Sequence, residues 1–380
     1  MRIAIGIHHL RPRGGQEDHC IRIVEALVAR GNDVTLFSSD DAGDLAVRTA
    51  KLSQHAWQAN HVRAKRFAAD FLDRTRSGFD RTVAFQPIPG VNVLFIGNDL
   101  RNRKDTGFLT RLTPRHRTYS RLEAECFGPN SNVNIVGYSS AQVRAFTDRY
   151  PASRRRIAVL PPTLQPNQYR PELRAPEARS AQRKSLGIPD AGQIWLWVGL
   201  HPETKGLDRV LMALAENKNA HLMIGGLQAD HPKVRRIRRL MRDVGLRGRL
   251  TFLGYLTGER YLSALAAADV LAHPARKEAA GMTILEAVVN GLPVVATDIC
   301  GFAEHIKKSG AGIVLPSPFN QAAFEEALSI TCGRRREEFS RWGIEYGTDP
   351  RLFSGIDVAC DLIEATEWST FSLNGLDLRP

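Results

Sequence analysis

The sequence predicts an α/β protein made of two Rossmann-like halves. Its 380 residues exceed the ~250–300 at which a single core stops growing. Short apolar strands alternate with helical patterns, as in a parallel sheet covered on both faces. The alternation stops at one proline-rich stretch and then restarts.

Taken in order, RIAIGI (2–7) is an apolar run of strand length. GGQEDHCIRIVEALVARG (14–31) has helical periodicity between a Gly pair and Gly31. DVTLFSS (33–39), RTVAFQ (81–86), NVLFIG (92–97), NIVGYS (134–139) and RIAVLP (156–161) read as strands, with helices at about 108–127 and 140–149 among them. PPTLQPNQYRPELRAPEA (161–178) reads as a linker, because its prolines break regular structure. Beyond it IWLWVGL (194–200), HLMIGG (221–226), LTFLG (250–254), VLAHP (270–274) and PVVAT (293–297) resume the strand series. The predicted halves are residues 1–165, with a C-terminal helical segment of about 353–380 packing back on them, and residues 166–352.

A hydrophobic content of 43% suffices for buried cores. No run approaches the ~18 apolar residues of a membrane helix. The start, MRIAIGIHHLRPRGG, lacks the form of a signal peptide, since its short apolar stretch runs into basic residues. The five cysteines are scattered without a C-x-x-C, so neither a disulfide framework nor a zinc site is expected, and a reducing cytoplasm fits. Charge is uneven. Residues 1–160 hold 25 Lys/Arg against 15 Asp/Glu, and the remaining 220 hold 27 against 25. The first half should therefore meet something anionic: a membrane surface, a phosphorylated acceptor or nucleic acid.

Ligands of open parallel sheets bind beyond the carboxyl ends of the strands, and three loops there stand out. In RPRGGQE (11–17), Gly14 and Gly15 allow close backbone approach at a helix N-terminus, which favours an anion. A plain tight turn accounts for them equally. In GLHPETKG (199–206), Lys205 precedes a helix start and could hold a phosphate as a point charge; a surface lysine is the plain alternative. The third, HPARKEAAGMTILEAVVNGLPVV (273–295), enters a helix near Gly281. The amides of Gly281, Met282, Thr283 and Ile284 would lack helical partners and could meet a phosphate. Glu278 precedes that helix. Glu286 lies one to two turns inside it, where a carboxylate could accept from both hydroxyls of a ribose. The same E-x7-E spacing at Glu17/Glu25 and Glu337/Glu345 lacks this setting and reads as solvated helix faces.

Together these motifs, with HPA (273–275) and GLPVV (291–295), resemble the retaining glycosyltransferases of the GT-B fold, family 4, over nearly the whole chain. PGVNVLFIGND (89–99), GFLTRLTPRHRTYSRLE (107–123) and ICGFAEHI (299–306) are similar to the bacterial group that adds glucose to the heptose of the lipopolysaccharide inner core. The resemblance implies two Rossmann-like domains facing a central cleft, the first binding acceptor and the second nucleotide-sugar. It places Gly14, Gly15 and Lys205 at the donor diphosphate. Glu278 would lie at the donor sugar, and the backbone of Gly281, Met282, Thr283 and Ile284 would hold sugar and diphosphate. Glu286 would hold the ribose, and Asp99 matches an acceptor-side carboxylate. Asp99 and Glu278 thus take the catalytic places. The donor it implies is UDP-glucose and the acceptor a lipid-linked saccharide, with no cofactor. No D-x-D occurs, so no metal is expected to hold the diphosphate.

Two departures stand out. Thr204 precedes Lys205 where the closer relatives carry arginine, so Arg170 or Arg209 would have to supply that cation. His19 stands where they carry an acid. A mannosyl or other hexosyl donor on GDP therefore stays open.

RNRKDTGFLTRLTPRHRTYSR (101–121) interleaves Arg101, Arg103, Lys104, Arg111, Arg115 and Arg117 with Phe108, Leu109 and Leu112. That mixture suits a segment lying on anionic lipid or meeting acceptor phosphates, with a solvated helix face as the plain alternative; taken with the resemblance, it implies a peripheral place on the cytoplasmic face of the inner membrane. A nucleotide-sugar epimerase would not need this segment. A non-catalytic nucleic-acid-binding protein would use its charge but not the loops around Glu278 and Glu286, so no nucleic-acid partner is expected. Dehydrogenase, P-loop and α/β-hydrolase signatures are absent.

Overall fold

The computed structural model describes residues 1–10, 15–41, 45, 47–52, 57–97, 100–101, 107–234, 246, 248–366, 368, 372–373 and 376–377. The chain divides into two compact units, Met1–Thr163 with Phe353–Pro380, and Leu164–Leu352.

The first unit holds seven parallel strands: β1 (Arg2–Gly6), β2 (Asp33–Ser38), β3 (Arg48–Lys51), β4 (Arg81–Ala84), β5 (Val93–Phe95), β6 (Asn134–Gly137) and β7 (Ile157–Val159). Their order is β3-β2-β1-β4-β5-β6-β7. β1 is central, with Ile3 in register with Val34 on one side and Arg81 on the other. Ile3, Ile5, Leu36, Val83 and Phe95 are fully buried, as expected for strands covered on both faces. The edge strand β3 was not predicted. Its sequence, RTAK, has almost no apolar signal, and backbone pairing to β2 holds it. The predicted helix over 108–127 is two helices, Phe108–Leu112 and Pro114–Phe127. Pro114 has no amide to continue the first, and Thr113 caps the second by accepting from the His116 amide at 3.2 Å.

The C-terminal helix Gly355–Glu364 packs on the helix Gly15–Ala29. Arg30 fastens the two, lying 3.1 Å from Asp357, 2.7 Å from Asp361 and 3.0 Å from Glu364.

The second unit holds β8 (Gln193–Val198), β9 (Ala220–Gly225), β10 (Leu250–Gly254), β11 (Val270–His273), β12 (Val294–Thr297) and β13 (Gly312–Leu315). All are parallel, in the order β10-β9-β8-β11-β12-β13. The order reverses between β8 and β11, so their carboxyl ends bound the crevice in which such sheets bind ligands. Ile194, Trp195, Leu196 and Trp197 of β8 are essentially without exposure.

β11 is clamped at its other end. Asp269, just before it, accepts from Arg179, from Arg183 at 3.0 Å, from Arg336 at 2.9 Å and from the Ile194 amide at 2.7 Å. Burial alone would raise the Asp269 carboxyl; Arg179, the Ile194 amide and Arg183 outweigh it and hold it below the usual range.

Past Thr163 the proline-rich stretch is part of the second unit, a correction to its reading as a linker. Pro166–Gln168 and Pro171–Arg174 form 3-10 turns, and Pro176 starts the helix Pro176–Ser185. These prolines stand at first-turn positions, where a missing amide costs no helical bond.

Candidate active site

The loop after β8 and the loop after β11 meet through their backbones. Gly206 has φ +71°, and a Cβ there would lie 2.1 Å from the Pro274 carbonyl oxygen, so no other residue fits. The Arg276 amide donates to the Thr204 carbonyl at 2.8 Å, and the Trp197 indole N–H to the Lys205 carbonyl at 2.9 Å.

This junction sets Lys205 Nζ on Glu278 Oε2. His273, the last residue of β11, brings Nε2 to the same oxygen at 3.2 Å. The His273 side chain is 2% exposed, that of Glu278 15% and that of Lys205 20%. Burial alone would raise the Glu278 carboxyl, but the hydrogen bond from His273 and the charges of His273 and Lys205 hold it at about 2. Burial disfavours the charged His273 ring; Cys300 and Glu278 outweigh it and raise its pKa to about 9. Behind the site, the Gly301 amide donates to the Glu278 carbonyl at 3.2 Å and the Phe302 amide to the Ala280 carbonyl at 2.7 Å.

Gly281, at φ +100°, leads into the helix Met282–Val289. Three of its four expected anion-binding positions, Gly281, Met282 and Thr283, stand at that N-terminus. The fourth needs correcting. The Ile284 amide donates to the Gly281 carbonyl at 2.9 Å, closing the first turn, and its side chain is buried.

Glu286, on the second turn of this helix, accepts from the Tyr261 hydroxyl at 2.6 Å on Oε2 and from Gln168 Nε2 at 3.3 Å on Oε1. Burial, then Glu286, push the Tyr261 phenol well above its usual pKa, so it stays a donor. Asn290 ties the segment in, donating to the Gln168 carbonyl at 2.7 Å and accepting from the Arg170 amide at 2.6 Å. The structure therefore brings Lys205, Glu278, Glu286 and the helix N-terminus together in one unit. Of the other E-x7-E pairs, Glu25, Glu337 and Glu345 are exposed and Glu17 is half-buried.

His273, Tyr261 and Gln168 were missed as site residues. A histidine closing the apolar run VLAH was a usable signal for His273. Nothing in the sequence joins Tyr261 to Glu286, and Gln168 lay in the supposed linker.

Neither arginine proposed to replace the cation missing at Thr204 is held for that task. Arg170 pairs with Glu172 and lies 3.3 Å from Glu259. Arg209 donates to the Pro274 carbonyl at 2.9 Å and lies over the Phe319 ring. His19 is buried on Gly15–Ala29, 2.8 Å from the Tyr138 hydroxyl, and burial, then Arg22, lower its pKa to about 3. A neutral ring replaces an acid there.

Gly15 opens the first helix, with nothing within 4 Å of where a Cβ would lie. Gly14, Asp99, Arg103 and Lys104 lie outside the described residues. Arg101 is exposed and sits over the Tyr119 ring. Phe108, Leu109 and Leu112 are 74%, 79% and 45% exposed, and Arg111, Arg115 and Arg117 are exposed beside them. Among the described residues no helix is long and apolar enough to cross a membrane.

Comparison with known proteins decides the chemistry. The family described as glycosyl transferases group 1 matches residues 178–340, the part of the chain that carries this site. The lipopolysaccharide glucosyltransferase WaaG of Escherichia coli (strain K12) is 30% identical over 375 residues, covering 96% of this chain and 98% of its own.

The chain belongs to the group 1 glycosyl transferases.

It is therefore an enzyme, a glycosyltransferase built on two Rossmann-like domains of the GT-B type. A crystal structure of WaaG matches this group 1 glycosyltransferase with a TM-score of 0.86 at 27% identity, over 96% of this chain and 100% of that one. Anabaena Alr3699/HepE, solved in complex with UDP-glucose, matches with a TM-score of 0.72 at 17% identity over 96% and 98% of the two chains, and so shares the fold. Membership in the family favours glycosyl transfer over the epimerase and the non-catalytic reading.

Proposed function

We propose that this glycosyltransferase moves glucose from UDP-glucose to the heptose of the lipopolysaccharide inner core, with retention and without a metal. The observation that supports it most is the contact of Lys205 with Glu278 at the switch point of the second unit, in the loop that leads into the helix carrying Glu286. The alignment with WaaG over nearly its whole length supports the choice of donor and acceptor.

Transfer develops positive charge on the anomeric carbon and negative charge on the departing diphosphate. Lys205 and the amides at the start of Met282–Val289 would take up the charge of the leaving group, the task a metal performs elsewhere. Glu278 would orient the donor sugar through hydroxyls, and Glu286 would accept from the ribose. The departing phosphate oxygen would take the acceptor proton on the same face, which retains configuration without a protein nucleophile. Asp99 would stand on the acceptor side.

The exposed Phe108, Leu109 and Leu112 beside Arg111, Arg115 and Arg117 favour a peripheral contact with the anionic inner face of the inner membrane. Each basic residue near such a surface contributes about 1 kcal/mol.

The test is a thermal-shift panel of UDP, GDP, ADP and duplex DNA with the wild type and Glu286→Ala. A ligand at 100 times its Kd adds about 2.7 kcal/mol of stability. UDP is expected to stabilise the wild type most. Glu286→Ala should bind it at least about tenfold more weakly, since hydrogen bonds to a charged group are lost. A response to DNA but to no nucleotide would overturn the proposal, and unchanged affinity in the variant would remove the ribose role.

A further inference from the structure

The cation assigned to the donor diphosphate is already engaged. Lys205 Nζ sits on Glu278 Oε2, within the same site. A diphosphate brought to that ammonium would place a second anion beside a carboxylate that is mostly withdrawn from water, and like charges at such range repel strongly. Lys205 has a flexible stem and can turn. Glu278 then keeps one charged partner among the described residues, His273 at 3.2 Å. His273 cannot turn away, since its ring is 2% exposed and its backbone is in register with Ala296 of β12.

We propose that the Lys205–Glu278 pair is a self-inhibitory contact of the donor site that the incoming diphosphate opens, and that His273 is the positioning residue that holds Glu278 ionised and in place once it has opened. This rests on reading the second unit as the donor domain.

The charges around His273 allow it. Against burial, which lowers it, Cys300 and Glu278 raise its proton affinity, to about 9. Lys205 lies beyond Glu278, and Arg209 reaches the carbonyl of the neighbouring Pro274. A raised histidine keeps its charge below that value and loses it above, so the ring is an imidazolium at neutral pH. The free site thus carries two cations on one carboxylate, and either cation alone can hold Glu278.

Calorimetric titration of UDP into the intact protein tests this. Glu278→Gln removes the charge that holds Lys205 and should bind UDP about tenfold more tightly, the factor carried by one charge-assisted hydrogen bond. His273→Gln leaves Lys205 as the sole charged partner of Glu278 and should bind UDP about tenfold more weakly. The gap between wild type and His273→Gln should close as pH rises through 9, where the wild-type ring loses its proton; titration of the uracil affects both proteins alike. In a Lys205→Ala background the His273→Gln loss should vanish. Unchanged or weaker binding by Glu278→Gln overturns the proposal, and that result decides alone if His273→Gln does not fold. So does a His273→Gln loss that persists without Lys205, which would mean that the imidazolium acts on the diphosphate directly. A wild type that binds neither UDP nor GDP removes the donor-domain reading itself, a failure distinct from the others.

Discussion

Replacing Asp269 by asparagine is expected to destabilise the second unit severely while leaving its ligand chemistry in place. The carboxylate is 3% exposed and serves Arg179, Arg183 and Arg336, of which the first two are 14% and 8% exposed. Asparagine has a similar volume and keeps one oxygen for the Ile194 amide, but it removes the one charge that these guanidiniums share among the described residues. Removing one partner of a buried ion pair costs ~3–5 kcal/mol, because the other charges are left uncompensated. For a unit of this size that lowers Tm by roughly 6–20 °C. Urea unfolding followed by tryptophan fluorescence is a suitable assay, because Trp195 and Trp197 are buried in this unit. The sign with pH is fixed too. The Asp269 carboxyl is held below its ordinary value of 3.8, so its contribution is present above that value and lost as pH falls through the lowered one. The gap between wild type and variant should therefore be full at pH 7 and close in acid. A loss under ~1 kcal/mol at pH 7, the size of an exposed pair, would refute the burial reasoning.

Two further outcomes follow from the proposed function. A chelator should leave turnover unchanged, because Lys205 and the helix N-terminus bear the charge of the leaving group; loss of activity restored by a divalent cation would overturn that. Neutralising Arg111, Arg115 and Arg117 to glutamine should weaken binding to anionic vesicles by about 1 kcal/mol per residue, with less effect at high salt. Vesicle binding that does not change would remove the membrane contact.

What the sequence alone determined is local in origin. Apolar runs such as RIAIGI and IWLWVGL specify buried parallel strands because both faces must be covered. Gly281 and the helix that follows it specify an anion-favouring end, whatever lies far away in the chain, whereas the close approach at Gly206 is set by the Pro274 carbonyl across the fold. The E-x7-E spacing was legible but ambiguous, since it occurs three times. Tertiary structure distinguished the pairs: Glu278 stands at the β8/β11 switch point with Glu286 on the helix that follows, whereas Glu25, Glu337 and Glu345 are exposed and Glu17 is half-buried. Tertiary structure also decided the partners. His273 meets Glu278 only because β11 ends beside the loop that carries it, and Lys205 joins them across 73 residues. Tyr261 reaches Glu286 across 25 residues and Gln168 across 118. The contacts of Lys205, Tyr261 and Gln168 have no periodicity and no composition to betray them. The proline-rich stretch makes the same point. Its prolines were visible, but whether they broke structure or started turns depended on the unit against which they fold.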